Sequence, residues 1–175
     1  TSRRNPTVRT GGADIRNNVI YNYRQGFTHD YGARHMFNIV GNVYKLGPNS
    51  EKPMPQVIWW GSRVKTICLD KTASYHLADN RDFHDAGKNL VLGQGRMSER
   101  PFEMPPVTTQ PAMEAYELVL ARAGAFPHDA VTRRTIEEVR TGTGEWGRRE
   151  PEGGLMAGLT PSAPPKDSDR DGMPD

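Results

Sequence analysis

Through the first 70 residues, short apolar segments rich in β-branched and aromatic side chains alternate with polar turns. Ile15-Arg-Asn-Asn18-Val19-Ile-Tyr21 returns as Ile39-Val-Gly-Asn42-Val43-Tyr44, with a weaker echo in Val64-Lys-Thr-Ile67-Cys-Leu-Asp70. The offset is 24 residues from Asn18 to Asn42 and 28 from Asn42 to Asp70. Periods between about 20 and 50 residues mark stacked repeats. Units this short and this β-rich read as coils of a β-solenoid, each strand pairing with its equivalents above and below. An asparagine at one site in successive coils would stack as a ladder, its amide bonding along the stack and holding the turn. An ordinary antiparallel sheet with coincidental Asn-Val pairs is the competing reading. Two or three coils are too few to hide a solenoid's edges, so a further part upstream, covalent or not, is expected.

Residues 45–63 read as a connection, with Gly47-Pro48, Pro53, Pro55 and then Trp59-Trp60-Gly61. Residues 78–111 read as irregular chain that lies along the body and packs through Phe102, Met104 and Val107. The period then changes. Met113, Tyr116, Leu120 and Ala123 fall at helical spacing, with Pro111 suited to the first turn and Gly124 to the stop. A second helix is expected from about Asp129, a good cap, to Arg140, with Ile136 and Val139 as its apolar side and Thr141-Gly142 as its end. Helices this short need a surface to dock on, so they read as a flank on the solenoid. From Gly153 the chain loses periodicity, and Pro161, Pro164 and Pro165 make a stiff linker.

Composition supports a loop-rich fold of short strands. Of 175 residues only 35% are hydrophobic, while glycine (18) and proline (14) are plentiful. A net charge of +2, with arginines interleaved among acids, gives no case for nucleic-acid binding. No apolar run approaches the ~20 residues needed to cross a membrane. The single cysteine, Cys68, has no intrachain disulfide partner and reads as a small buried hydrophobe on a strand. The chain opens at Thr1 without Met or signal peptide and closes in mid-motif, so a processed product or a piece of something longer is expected.

The first candidate chemistry is Arg4-Asn-Pro6-Thr-Val-Arg9. Two arginines five apart on a strand would face opposite ways, but a turn at the proline brings both to one groove. Planar guanidinium forks suit carboxylated sugars, which they bond bidentately. A solvated basic edge is the plainer reading of the spacing. Arg-x-Pro-x-x-Arg followed by a strand with Asn-Asn resembles the active-site motif of family-one pectate lyases. So do Phe37-Asn-Ile-Val-Gly-Asn-Val-Tyr-Lys-Leu-Gly-Pro48, Pro105-Pro-Val-Thr-Thr-Gln-Pro-Ala112 and Ala115-Tyr-Glu-Leu-Val-Leu; the stretch from Asp129 to Gly144 is similar to the bacterial branch.

That resemblance implies an all-β right-handed parallel β-helix with a helical flank. Residues 1–110 would be its carboxy-terminal coils and loops, 111–150 the flank, and 151–175 a Pro-rich linker with the start of an Asp-rich calcium loop. It implies a secreted lyase acting on pectate, an acidic polysaccharide, by β-elimination. Arg4 would be the base that removes the C5 proton of a galacturonate unit, and Arg9 would bind the substrate. Arginine normally keeps its proton, so the substrate acid must be strengthened, which bound Ca²⁺ does by neutralising the uronate carboxylate. The family's calcium ligands lie on coils upstream of the arginine motif, so the partner implied is the amino-terminal part of the same β-helix. The chain alone is expected to be inactive. A non-catalytic β-helix that binds glycan or assembles into larger structures is the alternative of a different class.

Asp167, Asp169 and Asp171, followed by Gly172, match the start of a calcium loop and resemble Asp-rich repeats of thrombospondin type 3. The histidines show no zinc-helix spacing. Asp79, Asp82 and Asp85 read as a solvated acidic face. Trp59-Trp60 and Tyr21, Tyr23 and Tyr31 are candidate platforms for sugar rings, with core packing the equal or better reading of the tryptophan pair.

Overall fold

The structure, a computed structural model, describes residues 5–8, 11–24, 27–29, 35–50, 57–59, 73–83, 91–92, 96–147, 152–154, 156–160, 163 and 165–169. The strands are β1 (Thr7–Val8), β2 (Gly12–Arg16), β3 (Val19–Tyr21), β4 (Phe27–His29), β5 (Met36–Val40), β6 (Val43–Lys45), β7 (Val57–Trp59), β8 (Ser74–Ala78), β9 (Arg81–Asp82), β10 (Val91–Leu92) and β11 (Arg96–Met97). Helices α1 (Ala112–Arg122) and α2 (Ala130–Thr141) follow. Sheet A has the order β1-β4-β7-β10, sheet B β2-β5-β8-β11 and sheet C β3-β6-β9. Every pairing is parallel. The chain visits A, then B, then C, and repeats, so each strand pairs with the one three places later. This cycling is consistent with successive coils of a parallel β-helix and inconsistent with the antiparallel alternative.

The third repeat is not where the weak echo placed it. Phe37 pairs with Tyr75 and Ile39 with Leu77, so β8 is the third equivalent of β2 and β5. The asparagine that follows is Asn80, 38 residues beyond Asn42. Residues 64–70, which carried the echo and Cys68, lie outside the described residues.

Strand alternation sorts the side chains of sheet B into two rows. Ala13, Phe37 and Tyr75 align on one row and Ile15, Ile39 and Leu77 on a second, both facing inward. Together with Phe27 they fill a core cluster. Phe37 stacks on Tyr75 with centroids 5.8 Å apart and meets Phe27 edge-on at 4.9 Å. Burying side chains of this size contributes about 1.5–3 kcal/mol each. On sheet C, Val19 and Val43 face outward against Ala112, Tyr116, Leu120 and Val139 of the helices, which is the docking surface that the short helices require.

The corner between sheets B and C repeats a two-residue device. Asn17, Gly41 and Asp79 all have positive φ, at 53°, 65° and 49°. Glycine, asparagine and aspartate are the residues that adopt this conformation most readily. The next residue in each coil is the ladder asparagine. Asn18 Nδ2 donates to Asn42 Oδ1 at 2.9 Å, and Asn42 Nδ2 donates to Asn80 Oδ1 at 3.0 Å. The backbone N–H groups of Asn18 and Asn42 donate to the same two oxygens. Asn42 Nδ2 also reaches the Ile15 carbonyl, and Asn80 Nδ2 the Ile39 carbonyl, at 2.9 and 2.7 Å. Asn42 is wholly buried, whereas Asn18 is exposed.

The flank is held by the same amide chemistry. Asn38 donates to the Phe102 carbonyl and accepts from its N–H, both at 2.9 Å. Asn17 does the same to Gln110, at 2.8 and 2.9 Å. Residues 98–110 therefore lie across the outer face of sheet B, whereas the earlier part of the stretch read as irregular carries β9, β10 and β11, and the connection at 45–63 carries β7. Met104 packs near Gly12, while Val107 is exposed and contributes little to the packing. Among the described residues, no helix is long and apolar enough to cross a membrane.

The ladder makes a graded prediction. Asn42→Ala leaves several buried donors and acceptors unmet and is expected to cost about 3 kcal/mol. Asn18→Ala, at an exposed rung, is expected to cost about 1 kcal/mol. Denaturant midpoints at constant slope measure both, and equal costs at the two rungs would refute the ladder as the holding element.

Candidate functional site

Arg4 and Arg9 lie outside the described residues. The segment between them is described: Asn5 and Pro6 form a turn that leads into β1, the first strand of sheet A. The motif therefore brackets a sheet A strand, paired with β4 through Thr7–Thr28 and Val8–His29.

The corner that returns the chain from sheet C to sheet A is better defined. Asn22 follows β3 with φ 47°, and Asn49 stands in the equivalent corner of the next coil. Asn22 Nδ2 donates to Asn49 Oδ1 at 3.1 Å, and the Asn49 N–H donates back to Asn22 Oδ1 at 2.9 Å. This is a second, two-rung amide stack. Gly47 allows it, because a Cβ there would sit 2.7 Å from the Asn22 side chain and 2.8 Å from Tyr21 Oη.

The end of the flank locks onto this corner. Tyr21 Oη donates to the Thr143 carbonyl at 2.5 Å, and the Trp146 N–H donates to Asn49 Oδ1 at 2.7 Å. The Trp146 indole Nε1 donates to the Asn22 carbonyl at 2.9 Å. The ring is thus fixed at both backbone and indole nitrogens, yet the residue keeps 38% of its exposure. The Arg24 guanidinium lies 5.0 Å from the ring centroid, a cation–π distance. Trp146 was not among the candidate residues of the sequence. A tryptophan just past a glycine-stopped helix, in an otherwise polar stretch, was the available signal.

Tyr23 is buried against Tyr44, with ring centroids 5.7 Å apart, and offers no platform. Tyr21 is spent on Thr143, and Tyr31 lies outside the described residues. Asp79 and Asp82 do not form a solvated acidic face. Asp79 Oδ2 accepts from the Ala112 N–H at 2.7 Å and so caps α1 from a neighbouring coil, while Oδ1 pairs with Arg81 at 3.1 Å. Asp82 is buried, aligned with Tyr44 on sheet C. Asp85 lies outside the described residues. Burial pushes the Tyr23 and Tyr44 hydroxyls well above the ordinary phenol value, and the Asp82 carboxylate adds to both shifts. Burial also lowers Lys45, whose ammonium donates to the Arg140 carbonyl at the end of α2, at 2.9 Å.

At α2 the expected Asp129 cap forms, accepting from the Thr132 N–H at 2.6 Å, and that bond holds its carboxyl below the ordinary range. Gly142, with φ 75°, ends the helix as expected. Asp167 and Asp169 are described and Asp171 is not. Among the described residues, no three histidine, cysteine or acidic side chains are grouped to hold a metal ion.

No family model matches the chain. It is similar to two proteins named "Probable pectate lyase C" from two strains of Aspergillus fumigatus, each 28% identical over 200 aligned residues. Each alignment takes in 98% of this chain and 42% of the relative, so the chain spans about two-fifths of the length of the curated relatives it matches.

Two outcomes follow from these contacts. Asp79→Ala is expected to cost about 1 kcal/mol through the lost α1 cap, with Asp79→Asn closer to the parent; equal losses would sink the capping role. The tyrosines set an alkaline limit. An unfolded tyrosine ionises near 10, and the fold raises that value. Their contribution is therefore complete below pH 10 and declines as pH rises further. Among the described residues the Tyr44 hydroxyl has no hydrogen-bond partner. Tyr44→Phe is therefore expected to be at least as stable as the parent at neutral pH, with an advantage that widens above pH 10. Urea midpoints across that range decide it, and a loss above about 1 kcal/mol at neutral pH would overturn it.

Proposed function

We propose that this chain is part of a secreted polysaccharide lyase that cleaves pectate by β-elimination. The observation that carries the reading is the conjunction of an all-parallel three-sheet cycle with the similarity, along 98% of the chain, to proteins named as probable pectate lyases. The sheets are read as carboxy-terminal coils of a right-handed solenoid, the hand favoured for parallel crossovers. The flank's contacts fall on sheets B and C, through Asn38, Asn17 and Val43. Sheet A, bracketed at β1 by Arg4 and Arg9, is the face assigned to substrate.

On this reading Arg9 binds a galacturonate carboxylate through its guanidinium fork, which draws charge from C5 and acidifies its proton. Arg4 takes that proton. The electron pair left on C5 forms the C4–C5 double bond, the C4–O bond breaks, and the departing glycosidic oxygen takes up a proton. The products are a new chain end and a 4,5-unsaturated uronate. An arginine base needs its guanidinium made more acidic so that the neutral form is reached, and a site enclosed by cationic neighbours and shielded from water supplies that pressure.

Calcium is assigned as the cofactor, held by acidic residues on coils upstream that would also complete the groove. Those coils are the proposed partner, continuous in the chain or docked against β1, β2 and β3. Asp167, Asp169 and Asp171 are proposed only as the opening of a separate calcium loop. No step above runs through the ion.

In the full-length protein, Arg4→Ala and Arg4→Lys are expected to lower elimination on polygalacturonate by at least about 10³-fold, read as ultraviolet absorbance of the unsaturated product. Residues 1–175 alone are expected to yield no product until the upstream coils are restored. Unchanged turnover in Arg4→Ala would remove Arg4 as base, whereas no unsaturated product from the full-length parent would leave a non-catalytic glycan-binding β-helix.

A further inference from the structure

We infer that Asn18 is an inner rung of the amide ladder, and that it receives a preceding coil carrying an asparagine of its own at the corner between sheets B and C. The inference deepens the reading of the upstream coils as partner. It rests on the parallel stack and not on the chemistry at Arg4.

The ladder has a direction. Asn42 Oδ1 accepts both the N–H and Nδ2 of Asn18, at 3.0 and 2.9 Å. Asn80 Oδ1 accepts the same pair from Asn42, at 3.1 and 3.0 Å. Each amide oxygen thus has its two lone pairs taken by the coil before it. Asn18 breaks the series, because among the described residues its side chain only donates. Its nitrogen differs as well. Asn42 Nδ2 reaches Ile15 and Asn80 Nδ2 reaches Ile39, in each case the carbonyl three residues before the preceding rung. Asn18 Nδ2 turns back to the Arg16 carbonyl of its own coil, at 3.0 Å. That carbonyl has a different task elsewhere in the repeat. Its equivalents, Val40 and Ala78, accept from Asn17 and Gly41, the left-handed residues of the coils before them.

The core and the sheets agree. Phe37 and Ile39 are wholly buried, whereas Ala13 and Ile15 on the same inward rows are only partly so. β1, β2 and β3 each stand at the end of their sheet, so three strand edges lie on one side of the stack. Such edges are completed by further strands. The occupant that fits is a parallel coil in the same register. Its left-handed residue donates to the Arg16 carbonyl, and the asparagine after it donates its N–H and Nδ2 to Asn18 Oδ1. A carbonyl three residues before that asparagine accepts from Asn18 Nδ2. A second copy of the chain related by a two-fold axis would either reverse the strands or turn the core rows outward, and could not present this set. The relatives have length to supply the coil, since this chain spans 42% of each.

Two observations on the full-length protein test the inference. In its sequence, an asparagine preceded by glycine, asparagine or aspartate is expected 24–38 residues before Asn18, the two spacings of the ladder; its absence overturns the inference. Amide exchange, read by mass spectrometry at that asparagine, is expected to show a protected N–H in the parent. Asn18→Ala removes the acceptor and is expected to speed exchange there about tenfold, while Asn18→Asp keeps an acceptor oxygen and stays near the parent. The smaller cost expected above for Asn18→Ala belongs to residues 1–175 by themselves. An unprotected N–H in the parent, no acceleration in Asn18→Ala, or equal acceleration in both variants would each overturn the rung. If Asn18→Ala does not fold, the parent and Asn18→Asp carry the decision. Protection that disappears on dilution, with a dimer in sedimentation, would place a second copy on the edge and overturn it too. The elimination assay scores the lyase reading separately. Protection without unsaturated product keeps the coil and loses the lyase; product without protection loses only the coil.

Discussion

The carboxamide of Asn42 is the contact on which the rest of the structure depends. A coil that turns sharply between two parallel sheets strands backbone groups at the corner, where neither sheet can pair them. Leaving such groups buried without partners costs about 1–3 kcal/mol each. One asparagine side chain meets the N–H of the coil before it, a carbonyl of that coil and the amide of the coil after it. The preceding residue must then take a left-handed conformation. At Gly41, with φ 65°, a Cβ would meet Asn17 Nδ2 at 2.6 Å and the Gln110 carbonyl oxygen at 3.2 Å, so this middle coil favours glycine. With the corner fixed, the register of sheets B and C follows, and with it the rows that fill the core.

The flank shows the same chemistry turned outward. Asn38 and Asn17 each present a donor and an acceptor side by side and grip a passing peptide unit as a neighbouring strand would. Asp79 extends the series by capping α1 from the third coil. Side-chain amides and a carboxylate at fixed heights on the stack thus stand in for sheet edges. The segment can cross the coils without becoming a strand itself. Its path over sheets B and C also determines which face is assigned to a ligand.

Much of this was legible in the residues. Two ladder rungs could be read because Asn18 and Asn42 sit in nearly identical surroundings one short coil apart. The helices were legible because Asp129 and Gly142 are chemically suited ends. The third rung was not, because the offset grows from 24 to 38 residues and a period search rewards regularity. Val64–Asp70 imitates the hydrophobic pattern but its sequence has no asparagine preceded by glycine, asparagine or aspartate, as Asp79-Asn80 has. The acidic triplet was misread for a related reason. Spacing along a chain does not reveal that Asp79 faces a helix end 33 residues away, or that Asp82 aligns inward with Tyr44. Trp146 was passed over because its partners, Asn22 and Asn49, are distant in sequence and look like ordinary loop residues.

The corner at Asn22 and Asn49 joins these strands of reasoning. It is built on the amide stacking that holds the B-to-C corner, it receives the end of the flank, and it opens into the sheet that β1 begins. An element that covers two sheets therefore also fixes the turn that feeds the third. Loss of the flank would remove more than the cover over Val43 and Asn38. It would release Trp146 and the Gly144 carbonyl, through which the flank grips the turns entering sheet A. The conformation of those turns, and of the arginine beside the indole, is thus tied to helices that stand well outside the proposed groove.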